Sequence, residues 1–224
     1  MVRAAAPVIA IDGPSASGKG TVAQQVAQRL HFHYLDSGAL YRLVGMAATR
    51  AQIATCDEVC VARLAANLDA RFENGEIYLS GARVTDVLRS EEAGRAASEV
   101  AALPAVRSAL LMRQRAYREA PGLVADGRDM GSVVFPDAAL KIYLTAAPGA
   151  RAERRYKQLI GKGMDANMAA LLQDIRARDG RDSNRAIAPL QQSSDAILLD
   201  TTNLSIDDAV DEVLARYAAA TQVP

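Results

Sequence analysis

The sequence predicts an α/β fold in which helices cover both faces of a five-stranded parallel sheet. Short apolar runs alternate with helix-like segments, and a glycine-rich turn follows the first run. The runs are nearly continuous rather than alternating, which is typical of strands buried on both faces. The predicted strands are residues 7–12, 33–36, 122–127, 139–146 and 195–201.

Helical periodicity and capping residues predict the helices between these strands. Apolar residues recur three or four positions apart over residues 22–30, so the first helix should begin near Lys19. We predict Ser37 as the N-cap of the next helix, because serine favours that position. Ser205 and Asp208 have the spacing of a capping box before the last helix.

One stretch departs from the parallel pattern. Residues 71–85 contain an Asn74-Gly75 pair between short alternating segments, which is typical of an antiparallel hairpin. We therefore expect residues 1–224 to form a single domain that carries a small antiparallel β insertion. The insertion should lie between the second and third parallel strands, with its edges near residues 60 and 105.

Composition excludes several classes of function. The 224 residues include 26 Lys and Arg and 26 Asp and Glu, so no overall field favours nucleic acid or an anionic membrane as a partner. No apolar stretch is long enough to span a bilayer, and the start of the chain reaches Asp12 too early for a signal peptide. We expect a soluble cytoplasmic protein whose partners are small molecules.

The cysteines and histidines are too few for a confident metal site. Cys56 and Cys60 are spaced i, i+4 in a predicted helix, and with His31 and His33 they could form a zinc site. Their spacing matches no known set of zinc ligands. Partly buried thiols and a pair of histidines at a strand end are the favoured interpretation.

The sequence GPSASGKGT at residues 13–21 has the form G-x-x-x-x-G-K between a strand and a helix. Glycines let the backbone bend around a polyphosphate, and the helix N-terminus adds positive potential. We expect Lys19 to reach the β and γ phosphates and Thr21 to face the bridging Mg²⁺. Gly20 stands where Ser or Thr usually follows the lysine, and GKGT is the form found in nucleoside monophosphate kinases. The alternative is a plain glycine-rich turn with an exposed lysine. The predicted ATP-binding residues are Gly13, Pro14, Ser15, Ala16, Ser17, Gly18, Lys19, Gly20 and Thr21.

A second group of residues indicates an anionic acceptor. The chain has neither the DxxG nor the NKxD element of a GTPase. A kinase whose acceptor is already an anion needs cationic clamps more than a base. Residues 151–188 are rich in arginine and could close over the site as a lid. In a helix, Arg178, Arg181, Asp182 and Arg185 would share one face, although a solvated, salt-bridged helix would have the same pattern.

Along nearly its whole length the chain resembles the bacterial cytidylate kinase family of nucleoside monophosphate kinases. Besides the glycine-rich loop, the matching stretches are LDSGALYR (35–42), AASEVAALPAVR (96–107), GLVADGRDMGSVVFPDA (122–138) and RDGRDSNRAIAPL (178–190). The resemblance implies ATP with Mg²⁺ as phosphoryl donor and CMP or dCMP as acceptor. It also implies that the hairpin insertion belongs to the acceptor-binding subdomain, that the lid is short and that the protein is a monomer.

The resemblance also implies roles for individual residues. Ser37 and Arg42 would meet the acceptor nucleotide, while Ser98, Arg107 and Asp129 would read cytosine, whose amino group needs an acceptor and whose ring N3 and O2 need a donor. The residues assigned to ribose, phosphate or base are Arg128, Arg178, Asp182 and Arg185. Charge neutralisation during transfer is assigned to Lys19, Arg128, Arg181 and Arg185.

Several alternatives stay open at this stage. The acceptor could be UMP or a shikimate-like alcohol, and a nucleotide-binding regulator without turnover is a candidate from another class. Asp36 and Asp126 end predicted strands, where a carboxylate can cap the next helix or bind magnesium through water. Arg128 and Asp129 could form a local ion pair, and Ser98 could be an ordinary helix hydroxyl.

Overall fold

The structure, a computed structural model, describes residues 5–73, 75–161 and 163–221. These residues form two compact units. One unit contains the described residues up to Leu35 and those from Ala116 onward, and the other is Asp36–Arg115.

Strands and helices alternate along most of the described chain. The strands are β1 (Val8–Asp12), β2 (His33–Asp36), β3 (Ala70–Glu73), β4 (Glu76–Leu79), β5 (Ala82–Arg83), β6 (Leu123–Gly127), β7 (Leu140–Thr145) and β8 (Ile197–Asp200). The α-helices are α1 (Lys19–Leu30), α2 (Ser37–Arg50), α3 (Glu58–Ala66), α4 (Glu91–Val100), α5 (Pro104–Arg115), α6 (Pro148–Ile160), α7 (Met168–Ser183) and α8 (Ile206–Thr221). A 3₁₀ turn at Val87–Arg89 and a π-helical turn at Met130–Val134 complete the set.

The predicted five-stranded parallel sheet is confirmed, with the strand order β2-β6-β1-β7-β8. β1 lies in the middle and pairs in parallel with β6 and β7, so that Asp12 stands opposite Gly127 and Tyr143. Every residue of β1 and β6 is buried. Both faces of these central strands are therefore covered, which explains why their sequences are continuous apolar runs.

Helices α1 and α8 pack on the parallel sheet. Their apolar faces, including Val22, Val26 and Val210, form one buried cluster with residues of β1, β6, β7 and β8. The predicted capping box at the start of α8 is confirmed, because Asp208 N donates to Ser205 Oγ (3.1 Å) and Ser205 Oγ donates to Asp208 Oδ2 (2.7 Å).

The unit Asp36–Arg115 contains the predicted antiparallel insertion. β4 pairs antiparallel with both β3 and β5, with Phe72 opposite Ile77. Asn74 of the predicted Asn-Gly turn lies outside the described residues. Around this sheet α2 packs on α4, where a Cβ at Gly45 would collide with Ala96, and α3 packs on α5.

Two local predictions were wrong. Ser37 is the first residue of α2 rather than its cap, and the Asp36 carboxylate accepts the N–H of Ala39 (3.0 Å) instead. Of the two roles left open for Asp36, the structure shows the capping one. Cys56 lies in a turn before α3, so only Cys60 is helical, and both thiols are free.

The part of the chain that the structure describes lacks two features. No group of three or more His, Cys, Asp or Glu side chains in residues 5–73, 75–161 and 163–221 is placed to hold a metal ion. None of the helices that the structure describes combines the length and the apolar character needed to cross a bilayer.

Gly13 follows β1 at a point where only a glycine fits. A Cβ at this position would overlap the backbone carbonyl oxygen of Leu144 in β7. Because backbone in a central strand cannot swing aside, Gly13→Ala should lower the free energy of unfolding by about 1–3 kcal/mol. Urea denaturation measures this loss. Gly149→Ala is the matched control, since nothing lies within 4 Å of a Cβ there. Equal stability of the two variants would contradict the prediction.

Candidate active site

The loop of residues 13–18 joins β1 to α1 and leaves the start of that helix uncapped. Gly18 is the N-cap residue in the left-handed region (φ 93°), and it provides no side-chain hydrogen bond to the helix. The first turn contains no acidic residue. Since the first four N–H groups of an α-helix have no partner inside the helix, these donors and the positive end of the dipole are available to an anion.

Two arginines of α6 bind the backbone carbonyls of the loop. Arg151 Nη1 donates to Ser15 O (3.1 Å), and Arg154 Nη1 donates to Ser17 O (2.9 Å). Thr201, just after β8, also donates its hydroxyl to Ser17 O (3.2 Å). With these carbonyl oxygens occupied by guanidinium and hydroxyl donors, the loop is held in a defined bend.

The loop hydroxyls are a separate set of polar groups. Ser15 Oγ and Ser17 Oγ are buried and have no hydrogen-bond partner among the described residues. A buried polar atom left in this state costs about 1–3 kcal/mol, so an incoming acceptor atom would relieve a real penalty. Thr21, in the first turn of α1, is exposed.

Lys19 is buried beside the loop and a carboxylate. Its Nζ donates to Pro14 O (3.3 Å) and lies 3.8 Å from Asp126 Oδ1 at the end of β6. Tyr34 donates its hydroxyl to the other oxygen of Asp126 (3.2 Å). A Cβ at Gly20 would stand 3.0 Å from that same oxygen. The glycine after the lysine therefore avoids a tight contact with the carboxylate of Asp126.

Asp12, the last residue of β1, is a site residue that the sequence analysis missed. It is buried, and its two carboxylate oxygens accept the N–H groups of Met130 and Gly131, each at 2.8 Å. Burial raises the pKa of Asp12 to about 7, with smaller contributions from the nearby Asp129 and Asp126, while the two N–H donors oppose the rise. The signal was present, since Asp12 ends a buried strand just as Asp36 and Asp126 do.

A buried ion pair joins the segment after β6 to α7. Arg128 Nε donates to Asp182 Oδ2 at 2.8 Å. Burial raises the pKa of Asp182, but the charges of Arg128, Arg178 and Arg185 outweigh it and leave the pKa below its ordinary value. Burial likewise lowers the pKa of Arg128, but the charge and hydrogen bond of Asp182, together with the charges of Asp126 and Asp12, leave that pKa above its ordinary value.

The prediction that four residues share one helical face is only partly correct. α7 ends at Ser183, and Arg185 lies beyond the C-cap Asn184. Arg185 is nevertheless buried and donates its Nε to Asp182 O (3.2 Å), because the chain turns back at that point. The structure thus brings Arg185, with Arg128 and Arg178, around Asp182, whereas Arg181 is exposed.

Arg151 also connects the two helices of the arginine-rich segment. Its guanidinium makes a bidentate pair with Asp179 of α7, at 3.0 and 2.5 Å, and its Nε donates to Ala146 O (2.9 Å). The same side chain therefore joins the glycine-rich loop to α7. The sequence analysis predicted residues 151–188 only as an arginine-rich lid, and the fold reveals this connection to the loop.

The unit Asp36–Arg115 holds the other predicted acceptor residues. Ser37 and Arg42 lie on α2, and the Nε of Arg42 has no partner among the residues described. Ser98 is buried on α4, which packs against α2. Arg107 of α5 is buried over the ring of Tyr41 (5.7 Å to the centroid), so it also reaches α2.

The raised pKa of Asp12 predicts an unusual pH dependence of stability. The folded-state pKa of Asp12, about 7, lies above the ordinary value of 3.8. The contribution of Asp12 to the free energy of unfolding is therefore fully present below pH 4 and is lost as pH rises towards 7. The wild type should therefore lose stability relative to Asp12→Asn by about 1.4 kcal/mol per pH unit in this window. Urea titrations of both proteins from pH 4 to 8 measure the difference. A difference that stays constant, or that grows in favour of the wild type, would contradict the assignment.

Comparison with known proteins gives one consistent result. The family model described as "Cytidylate kinase" matches residues 9–219. A cytidylate kinase of Chromobacterium violaceum is 64% identical over 208 residues, covering 93% of this chain and 94% of that protein. A cytidylate kinase of Pseudomonas paraeruginosa is 57% identical over 219 residues, covering 95% and 96%.

A solved structure is similar in fold alone. The crystal structure of an uncharacterized protein from Eubacterium ventriosum has a TM-score of 0.52 at 11% identity, covering 95% of this chain and 98% of that one. The family match extends over nearly all of the chain and includes the glycine-rich loop, the segment after β6 and the turn after α7. This chain therefore belongs to the cytidylate kinase family.

Proposed function

We propose that this protein transfers the γ-phosphoryl group of ATP to CMP or dCMP, giving ADP and the nucleoside diphosphate. The observation that carries the proposal is the uncapped N-terminus of α1, which lies behind a loop whose carbonyls are bound by Arg151 and Arg154. This arrangement suits a polyphosphate, and the cytidylate kinases that the chain matches act on the acceptor named in their description.

Residues 13–21 would hold the donor phosphates. Lys19 is already placed beside the loop, and its ammonium would exchange the Pro14 carbonyl for phosphate oxygens. The hydroxyls of Ser15 and Ser17 are donors that such oxygens could satisfy. Together these groups would neutralise the donor's charge without any covalent bond to the protein.

Magnesium fits this site as a partner of ATP. The exposed Thr21 hydroxyl, in the first turn of α1, is the kind of hard oxygen ligand that Mg²⁺ prefers. One neutral oxygen cannot hold the ion alone, so the phosphates of ATP would supply most of its ligands. When bound, magnesium supplies positive charge at the phosphate oxygens.

The acceptor would be recognised by charge and by hydrogen-bond pattern. Arg42 would bind the CMP phosphate. Asp129 would accept a hydrogen bond from the exocyclic amino group of cytosine, with Ser98 as a second acceptor. Arg107 would donate to ring N3 and O2. Ser37 would also contact the acceptor nucleotide. Uracil presents an oxygen where cytosine presents the amino group, so a carboxylate reader disfavours it.

The remaining cations would stabilise charge during transfer. Arg128, Arg178 and Arg185 converge on Asp182, which keeps the guanidiniums together in spite of their mutual repulsion. Arg185 and Arg128 would bind the transferring phosphate, with Arg178 and Asp182 on the ribose side. Arg181 is exposed, so its part in neutralising charge requires the segment to move when substrates bind.

The same proposal extends to the subdomains of the chain, its location and its oligomeric state. We propose residues 60–105 as the core of an acceptor-binding insertion and residues 151–188 as a short lid. A cytoplasmic, monomeric enzyme suits freely diffusing nucleotide substrates. These assignments need their own tests, namely truncation of the insertion, limited proteolysis of the lid and sedimentation.

Lys19→Ala should reduce turnover with MgATP and CMP by 100-fold or more, in keeping with loss of a preorganised charge at the phosphates, which costs roughly 10²–10³ in rate. The fold should survive, because Asp126 keeps the hydroxyl of Tyr34 as a hydrogen-bond donor when the ammonium is removed. A coupled assay for ADP measures the rate, and circular dichroism checks the fold. Lys157→Ala is the matched control, since that lysine is exposed and pairs with Glu153 of the same helix. Unchanged turnover in Lys19→Ala would refute the role.

A panel of acceptors tests the choice of substrate. With MgATP, ADP release should be fastest with CMP and dCMP, slower with UMP and absent with shikimate or with no acceptor. Asp129→Ala should raise the KM for CMP roughly 5- to 150-fold, since a lost hydrogen bond to a substrate group costs about 1–3 kcal/mol, and should leave ATP affinity in calorimetry nearly unchanged. Asp211→Ala, an exposed aspartate of α8, serves as control. ATP binding without acceptor-dependent release would instead indicate a regulator.

A further inference from the structure

Asp12 stands between the two parts of the site in the same compact unit. Its backbone ends β1, and the next residue, Gly13, begins the glycine-rich loop. Its carboxylate accepts the N–H groups of Met130 and Gly131, which are 118 and 119 residues further along the chain. One residue therefore touches both the loop assigned to the donor and the segment assigned to the acceptor.

The segment that Asp12 binds carries Arg128 and Asp129. It leaves β6 at Gly127 and enters the π-helical turn at Met130, where the carbonyl of Asp129 accepts the N–H groups of Val133 (2.9 Å) and Val134 (3.1 Å). The first N–H groups of such a turn have no partner within it. Because Met130 and Gly131 are themselves buried, water is a poor substitute and the Asp12 carboxylate satisfies both donors.

Two hydrogen bonds to Asp12 restrict the orientation of the turn more than one bond would. A single acceptor would leave the turn free to rotate about one contact, whereas the two oxygens of one carboxylate match two successive N–H groups and define the plane of the turn. Asp129 precedes Met130 directly and is itself buried, so its side-chain direction depends on where this backbone is held.

We propose that Asp12 is a positioning residue for the acceptor nucleotide: by binding Met130 N and Gly131 N it orients Asp129 and Arg128 relative to the glycine-rich loop. This inference rests on the proposed function, because it takes Asp129 as the reader of cytosine. Asp12 is not a catalytic residue, since its carboxylate is engaged by backbone donors and acts through the segment that it holds.

A purely structural role explains the carboxylate less well. Asp12 is buried near the like charges of Asp126 and Asp129, and burial raises its pKa to about 7. A neutral residue of the same size would avoid that desolvation penalty and still accept one N–H group. The charged residue is therefore unfavourable for folding alone, and its second acceptor oxygen is what a neutral amide lacks.

Asp12→Asn is the test variant, because it keeps the volume and one acceptor but turns an NH₂ group towards the second N–H. At pH 8 we expect kcat/KM for CMP to fall roughly 10- to 100-fold, mainly through a higher KM. Misplacing a reacting partner by about 1 Å has an effect of this size. ATP affinity in calorimetry should change less than threefold. Asp208→Asn, a carboxylate that caps α8 and touches no site residue, should behave as wild type. Unchanged CMP kinetics, or an equal loss of ATP affinity, would overturn the inference.

A double-mutant cycle separates this inference from the proposed function. If Asp12 acts through Asp129, then Asp12→Asn should lower kcat/KM for CMP less in the Asp129→Ala background than in the wild type, the remaining loss coming from Arg128, since coupled residues are not additive. Full additivity, with Asp129→Ala itself impaired, would overturn the positioning role alone. Normal use of CMP by Asp129→Ala would overturn the cytosine-reading role and this inference with it.

A measurement on the wild type covers the case in which Asp12→Asn does not fold. Native-state hydrogen exchange should find the amides of Met130 and Gly131 strongly protected, with exchange slowed at least 1000-fold relative to an unstructured peptide. Rapid exchange of either amide in the folded protein would show that the carboxylate does not hold the turn, and would overturn the inference.

Discussion

The bend between β1 and α1 depends on two guanidinium groups that bind its carbonyl oxygens. Arg151 and Arg154 are one helical turn apart on α6, so they reach Ser15 O and Ser17 O from the same side. Peptide N–H and C=O groups point in opposite directions, so fixing the carbonyls also fixes the donors that an anion would meet. The loop is therefore ordered by bonds that a bound nucleotide need not break. Arg151 further pairs with Asp179, which ties the order of the loop to the position of α7.

Balanced charge is the second constraint on this unit. Three aspartates, Asp12, Asp126 and Asp129, lie close enough at the carboxyl ends of β1 and β6 to influence one another. Two of them have different partners that offset the cost of burial: Asp126 has Lys19 and Tyr34 beside it, and Asp12 has two backbone donors. Such groups would destabilise an ordinary core. Their concentration at one edge of a parallel sheet is typical of a ligand-binding site, where perturbed pKa values are common.

The sequence predicted most of the fold because its signals are local. Continuous apolar runs identified the five parallel strands, and the GPSASGKGT spacing located the loop. Predictions that depended on where a helix ends, or on contacts between distant residues, were less accurate. Arg185 was assigned to a helix that ends before it, since the turn at Asn184 is set by contacts with Asp182 rather than by periodicity. Asp36, not Ser37, is the N-cap of α2. Its backbone is extended, as an N-cap requires, and its carboxylate accepts the N–H of Ala39. Asp12 was missed, as its partners are more than a hundred residues away.

We propose that the loop, already bent, receives the phosphates of the donor while Asp129 reads the base of the acceptor. A crystal structure of the protein with CMP and a non-hydrolysable ATP analogue tests this most directly. We expect the analogue's phosphate oxygens to accept N–H groups at the start of α1 and to contact Lys19, with Ser15 O and Ser17 O still bound to their arginines. The cytosine amino group should donate to Asp129. Phosphates bound elsewhere, or a loop that binds them only after releasing Arg151 and Arg154, would contradict the account.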